Sequence, residues 1–108
     1  SIGDDFDAGC GLKIIDCNEV SIGNNVTIGE NVGIYTSNHA KDPKLRCDHW
    51  CSELPIRIGN NVVIESNSVV LPGTIIEDNV WIRPGSVVLG RIEADSICAG
   101  DPARRESK

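Results

Sequence analysis

The sequence has few aromatic residues and no methionine. Aromatic residues make up only 4% of the 108 residues, as two Trp, one Tyr and one Phe. An apolar core must therefore be built from aliphatic residues, and the Val and Ile that dominate here are enriched in β-strands. Because a chain of this length is one domain's worth, we expect a single all-β domain over residues 1–108.

Basic residues and long apolar runs are also scarce. Ten Lys and Arg stand against 16 Asp and Glu, which gives a formal net charge of −6. Proteins that bind nucleic acids or anionic membranes neutralise phosphates with clustered Lys and Arg. No apolar run approaches the roughly 18 residues of a membrane-spanning helix. We therefore expect neither a nucleic-acid partner nor a membrane span.

The cysteines form no disulfide framework. They are odd in number, irregularly spaced and preceded by no recognisable signal peptide: Cys10, Cys17, Cys47, Cys51 and Cys98. Disulfides are rare in reducing compartments, so this pattern favours free thiols and a cytoplasmic protein. None of the five has neighbours that mark it as a nucleophile.

The strongest pattern is a six-residue repeat of Val and Ile. One set of positions six apart, interrupted once by a gap of four sixes, comprises Ile22, Ile28, Ile34, Ile58, Ile64, Val70, Ile76, Ile82 and Val88. A second set of small or branched residues follows by four positions: Val26, Val32, Val62, Ser68, Thr74, Val80 and Ser86. A period of six fits neither an α-helix nor a β-hairpin, but it fits a short strand plus a turn.

Longer repeats indicate that three such units make one triangular coil of 18 residues. Ile-Gly-Asn-Asn-Val occurs at 22–26 and 58–62, and Ile-Glu-Asp-Asn-Val at 76–80. Asn and Gly suit the corners, because they reach positive φ at least cost. About five stacked coils would give a parallel β-helix. The alternative, an antiparallel sandwich, predicts period-two alternation, which the sequence does not show.

The repeat is irregular in two places. Ile2, Ala8 and Ile14 continue it upstream, but a two-residue insertion at 16–19 predicts a weaker register in the first coil. Between Ile34 and Ile56 the pattern is lost, and we predict an extruded loop at about 38–55. Long irregular segments on rigid scaffolds are usually functional.

Both histidines lie in this predicted loop. His39 follows the end of a strand, a position that suits a general base, whereas His49 lies mid-loop and is more simply a solvated residue. Cys47, His49 and Cys51 offer three metal ligands, but no matching second pair accompanies them. With two histidines in the sequence, a three-histidine metal site within one chain is excluded.

An ordered set of motifs resembles a known family. The motifs are Ile34-Tyr35-Thr36 leading into His39, Arg46, Pro55-Ile56, Leu71-Pro72-Gly73, Gly85-Ser86-Val87-Val88 and Ala99-Gly100-Asp101-Pro102-Ala103-Arg104. They are similar to those of the left-handed β-helix hexapeptide-repeat acyltransferases, closest to the maltose and galactoside O-acetyltransferases. The resemblance implies left-handed coils, a homotrimer with active sites at the subunit seams, and direct acetyl transfer from acetyl-CoA to a hydroxyl of a sugar or similar small molecule.

The resemblance also implies roles for individual residues. His39 would be the general base, and no metal would be required. Ser66, Pro84 and Gly85 would line the groove for the pantetheine arm of acetyl-CoA, and Arg104 would lie near the nucleotide phosphates. The C-terminal tail would span about 99–108.

Several positions depart from the family pattern. Val63 stands where the family usually has Trp, Glu65 where it has Gly, Arg83-Pro84 where it has Gly-Ala, and Leu89-Gly90 where it has Thr-Lys. An asparagine expected in the first coil is absent from Ala8-Gly9-Cys10-Gly11. We predict that Glu65 and Arg83 narrow the coenzyme groove. A second hypothesis is therefore a non-catalytic β-helix, a scaffold or binding module that has lost coenzyme binding.

Overall fold

The structure, a computed structural model, describes residues 2–15, 19–36 and 54–106, with the backbone alone at Ile15. Every regular element in this part of the chain is a β-strand of two to four residues. Within the same residues there is no helix of the length and hydropathy needed to cross a membrane.

The strands form three sheets. Sheet 1 contains, in spatial order, β1 (Asp7–Ala8), β4 (Thr27–Ile28), β7 (Val63–Ile64), β10 (Trp81–Ile82), β13 (Ile97–Gly100) and β14 (Ala103–Arg105). Sheet 2 contains β11 (Val87–Val88), β8 (Val69–Val70), β5 (Gly33–Tyr35) and β2 (Lys13–Ile15). Sheet 3 contains β12 (Arg91–Ile92), β9 (Ile75–Ile76), β6 (Ile56–Ile58) and β3 (Val20–Ile22).

The order of the strands confirms the predicted parallel β-helix. Consecutive strands visit the three sheets in turn, and each strand pairs in parallel with the strand one coil away. The last pair differs, because β13 and β14 form an antiparallel hairpin. The described strands make up four complete coils and the first side of a fifth.

Strand register shows where the coils differ in length. The standard spacing of 18 residues joins Val63 to Trp81. Thr27 and Val63 are 36 residues apart, which is twice the standard spacing. The extra residues between β5 and β6 therefore do not shift the register of the later strands. Asp7 and Thr27 are 20 apart, which confirms the two-residue insertion in the first coil. Trp81 and Ile97 are only 16 apart, a shortening of the corner between β11 and β12 that the sequence pattern did not reveal.

The core is the narrow interior of the coils. Each predicted inward residue from Ile22 to Val88 is at most 3% exposed. The three hydroxyl residues of the predicted inward set donate to backbone carbonyls: Ser68 and Ser86 to that of Arg83, at 3.1 and 2.8 Å, and Thr74 to that of Leu71, at 2.6 Å. Buried hydroxyls satisfied in this way impose little cost on the apolar interior.

The corners between sheets 3 and 1 follow the predicted use of Asn. One column of corner residues has positive φ of 56 to 59°: Asp5, Asn25, Asn61, Asn79 and Asp95. Beside it, the N–H of Asn24 donates to Oδ1 of Asn60, and the N–H of Asn60 to Oδ1 of Asp78, both at 2.7 Å. Each corner therefore helps to hold the next.

Candidate functional site

Three of the predicted coenzyme residues lie on one corner of the β-helix. Ser66 follows β7, and Pro84 and Gly85 follow β10, one coil along. The N–H of Gly85 donates to the carbonyl oxygen of Ser66 at 2.9 Å. Gly85 has a φ of 70°, and the space where a Cβ would lie is open to 4 Å. The fold thus brings Ser66 and Gly85 together on an open surface.

The Ser66 hydroxyl is held by the neighbouring coil. Its Oγ accepts the N–H of Glu30 at 2.9 Å. Its own proton goes to no other residue in the described part of the chain. Ser66 can therefore offer a fixed donor to a ligand lying along this corner.

Two of the departures from the family pattern lie in one column beside this corner. Glu65 and Arg83 each follow a strand of sheet 1, and the N–H of Glu65 donates to the carbonyl of Ile82 at 2.9 Å. The Arg83 guanidinium reaches the other way, to Glu106, with Nε at 3.2 Å from Oε1 and Nη2 at 3.5 Å from Oε2. We call Glu65, Arg83 and Glu106 the charged column.

The three side chains of the charged column differ in whether their charged groups have hydrogen-bond partners. The side chains of Arg83 and Glu106 are 49% and 38% exposed, so their ion pair contributes only about 0.2 to 1 kcal/mol. Glu65 Oε2, in contrast, is buried and has no hydrogen-bond partner within the described residues. Sequence reasoning identified Glu65 and Arg83 but missed Glu106, because no periodicity links residues 83 and 106.

Arg104 lies apart from Ser66 and Gly85. It is exposed on β14, where its backbone pairs with Ala99. With Arg91 and Arg105 it lines a concavity of about 280 Å³ at the last coil. No hydrogen bond or strand pairing among the described residues joins Arg104 to Ser66 or Gly85.

Arg91, which follows the shortened corner, is bound to Glu77. Its Nε donates to Oε2 of Glu77 at 2.9 Å, and its Nη2 also contacts that oxygen. The hydrogen bond from Arg91, with a smaller contribution from the N–H of Ala94, lowers the pKa of Glu77 below its ordinary value of 4.5. Arg91 therefore lines the concavity while its guanidinium is already paired with the carboxylate of Glu77.

A groove with both apolar and polar lining residues runs along the outer face of sheet 1. Val63, Trp81 and Ile97 are in register on consecutive coils, and the groove beside them encloses about 300 Å³. Trp81 is 45% exposed and Ile97 is 44% exposed. The indole that is absent at residue 63 is thus present one coil later, which the motif comparison did not detect.

The candidate base lies outside the described residues, as do Arg46, Cys47, His49 and Cys51. What the structure describes is the junction from which His39 follows. The carbonyl of Thr36 accepts the N–H of Leu54 at 2.9 Å, so these two described residues meet at the corner between sheets 2 and 3. Among the described residues no group of three His, Cys, Asp or Glu side chains is arranged to hold a metal ion.

The hexapeptide repeat itself matches known family models. The model described as bacterial transferase hexapeptide (six repeats) matches residues 55–92. The model described as hexapeptide repeat of succinyl-transferase matches residues 19–37. The chain belongs to the hexapeptide-repeat acyltransferase family.

Relatives of this family resemble the chain over almost its whole length. Galactoside O-acetyltransferase of Escherichia coli is 41% identical over 103 residues, which are 95% of this chain and 51% of that protein. The crystal structure of a maltose O-acetyltransferase from Clostridium difficile is 36% identical with a TM-score of 0.87, covering 99% of this chain and 57% of the other. A galactoside acetyltransferase in complex with coenzyme A is 31% identical with a TM-score of 0.78, covering 99% and 58%.

These comparisons establish the architecture of the chain. The chain is a left-handed parallel β-helix, as the resemblance implied. It spans about half the length of the curated relatives it matches.

Proposed function

We propose that this protein is an acetyl-CoA-dependent O-acetyltransferase that acts on a sugar or another hydroxylated small molecule. The observation that carries the proposal is the 41% identity to galactoside O-acetyltransferase over 95% of the chain. The similar fold of a galactoside acetyltransferase that binds coenzyme A adds support. Residues 1–108 would act as one hexapeptide-repeat domain with the 38–55 segment as its site-bearing loop.

The corner formed by Ser66, Pro84 and Gly85 fits the pantetheine arm. Gly85 leaves open space at the surface, and Ser66 holds an uncommitted hydroxyl proton one coil away. A narrow amide-containing chain can lie across such a corner and exchange hydrogen bonds with it. Arg104, exposed in the concavity of the last coil, would then meet the nucleotide phosphates through charge-assisted hydrogen bonds.

The chemistry assigned to His39 is general base catalysis. Its imidazole would take the proton of the acceptor hydroxyl as that oxygen attacks the thioester carbonyl carbon. The tetrahedral intermediate would collapse with cleavage of the C–S bond, and the imidazolium would return its proton to the departing sulfur. No acyl-enzyme forms in this scheme, and holding both substrates in one site supplies much of the acceleration.

The proposal includes a homotrimer with active sites at the seams between subunits. Exposed apolar side chains on the coil faces support an assembly, since Ile75, Trp81 and Ile97 are each more than 40% exposed. The proposed compartment is the cytoplasm, which agrees with free thiols at Cys10 and Cys98. Light scattering coupled to size exclusion would measure the trimer directly.

A turnover assay tests the proposed function. Release of the coenzyme A thiol from acetyl-CoA would be followed with a panel of galactosides, maltose and other sugars, and the acetylated product confirmed by mass spectrometry. We expect His39→Ala to lower kcat by 100-fold or more, on the order expected for loss of a general base. His49→Ala, a matched change in the same loop, should leave turnover unchanged.

Two results would contradict the proposal. Full activity in His39→Ala would remove His39 from the mechanism. Failure of the wild-type protein to consume acetyl-CoA with any hydroxylated acceptor would favour the scaffold or binding-module hypothesis.

A further inference from the structure

Glu65 has a buried carboxylate oxygen that none of the described residues binds. Its Oε2 atom has no hydrogen-bond partner within the described part of the chain. A buried acceptor without a donor destabilises a folded protein. A rotation of the Glu65 side chain that exposes this oxygen would let it accept a donor from outside the chain, at no loss of a hydrogen bond within the described residues.

The nearest cation in the charged column is directed away from Glu65. Arg83 occupies the next position of the column, about 4.8 Å along the axis, and its guanidinium binds both carboxylate oxygens of Glu106. Glu106 is itself fixed, because its N–H donates to the carbonyl of Ile97 at 2.7 Å. The C-terminal hairpin thus holds Arg83 and leaves Glu65 available.

The position of Glu65 indicates which ligand would supply the donor. Glu65 directly precedes Ser66, and the N–H of Gly85 binds the Ser66 carbonyl on the neighbouring coil. The pantetheine arm assigned to this corner carries two amide N–H groups, and an N–H bound to a carboxylate makes a strong hydrogen bond. The nucleotide half of the coenzyme does not need to approach this column.

We propose that Glu65 determines coenzyme specificity by accepting a hydrogen bond from an amide N–H of the pantetheine arm, and that Glu106 is a positioning residue that keeps Arg83 from occupying Glu65. This inference rests on the proposed function. As a departure from the family pattern, Glu65 is predicted to narrow the groove and weaken coenzyme binding, whereas this inference predicts that Glu65 strengthens it. Obstruction predicts that shortening or replacing Glu65 tightens binding, whereas the hydrogen bond predicts that binding weakens.

The test is a set of calorimetric titrations with acetyl-CoA and with adenosine 3′,5′-bisphosphate, which lacks pantetheine. We expect Glu65→Met, which keeps the length but removes the acceptor, to weaken acetyl-CoA binding about tenfold. Binding of the bisphosphate should not change. The melting temperature should stay equal or rise, since an unsatisfied buried oxygen has been removed.

A second pair of variants tests the role of Glu106. Glu106→Gln releases Arg83 toward Glu65, and acetyl-CoA binding should weaken by a similar factor. Adding Arg83→Met to Glu106→Gln should restore the wild-type affinity, a non-additive result that a merely structural role would not give.

The outcomes separate this inference from the proposed function. If the wild-type protein does not bind acetyl-CoA, both are overturned. If the wild-type protein binds and Glu65→Met binds equally well or more tightly, this inference alone is overturned. A lower melting temperature with equal losses for both ligands would show a structural role for Glu65 and would also overturn it.

Discussion

Strand β9 allows the contribution of one inward position to be measured against a matched outward one, because both of its residues are isoleucine. Ile76 is 1% exposed, and Ile75 is 42% exposed. Ile76 is in register with Ile58 and Ile92 on the coils that flank it. Ile76→Ala therefore leaves a cavity in the middle of a column.

The expected cost of that cavity is large for a domain of this size. Replacing a buried Ile by Ala costs about 2 to 5 kcal/mol, depending on how far the surroundings collapse. Here β9 is paired on both sides, with β6 and β12, which restricts collapse. We expect about 3 to 5 kcal/mol for Ile76→Ala, and about 1 kcal/mol or less for Ile75→Ala.

Urea unfolding followed by circular dichroism would measure both variants. Two protein concentrations, tenfold apart, would separate contributions within the chain from those of an assembly. In thermal unfolding, each 1 kcal/mol corresponds to about 4 to 8 °C, so Ile76→Ala should melt at least about 12 °C lower. Equal losses of stability for the two variants at both concentrations would refute the assignment of inward and outward faces.

Three further predictions follow from single residues. Asn61→Ala should be less stable than Asn61→Gly by about 1 kcal/mol in urea unfolding, because φ is 56° there; equal stabilities would argue against the corner geometry. Because the folded-state pKa of Glu77 is lowered, its stabilisation is present above pH 4.5 and is lost as the pH falls through the folded-state value. Glu77→Gln should therefore flatten that acid limb of the stability profile, and an unchanged limb would count against the contact with Arg91. Iodoacetamide at neutral pH should modify exposed Cys10 in the folded protein but buried Cys98, whose pKa is raised by that burial, only after unfolding; peptide mapping that shows equal rates would contradict this.

The six-residue period predicted the core well, because the burial it reports is a local consequence of strand geometry. Every inward residue from Ile22 to Val88 is buried as expected. The six-residue period no longer predicts the inward residues after Val88. The corner between Val88 and Arg91 is two residues shorter than the others, and Gly90 takes a φ of 77° there. A single shortened turn shifts every later residue, so Cys98 was not recognised as part of the same inward column.

The candidate site was only partly predictable for a different reason. Ser66 and Gly85 came from a motif, and stacking of the coils brings them together. The ion pair between Arg83 and Glu106 forms because the hairpin of β13 and β14 brings Glu106 back toward β10. These two residues are 23 apart in the sequence, and no local pattern predicts their contact. The role of His39 stays a prediction, since that residue lies outside the described part of the chain.

The most direct test of the account is a calorimetric titration of the purified wild-type protein with acetyl-CoA. The proposed function predicts saturable binding with a dissociation constant in the micromolar range, about −8 kcal/mol in free energy. Binding of that strength would show that the corner at Ser66 and Gly85 accepts the coenzyme with Glu65 and Arg83 in place. Absence of binding up to millimolar acetyl-CoA would contradict the account and leave the protein as a β-helical scaffold.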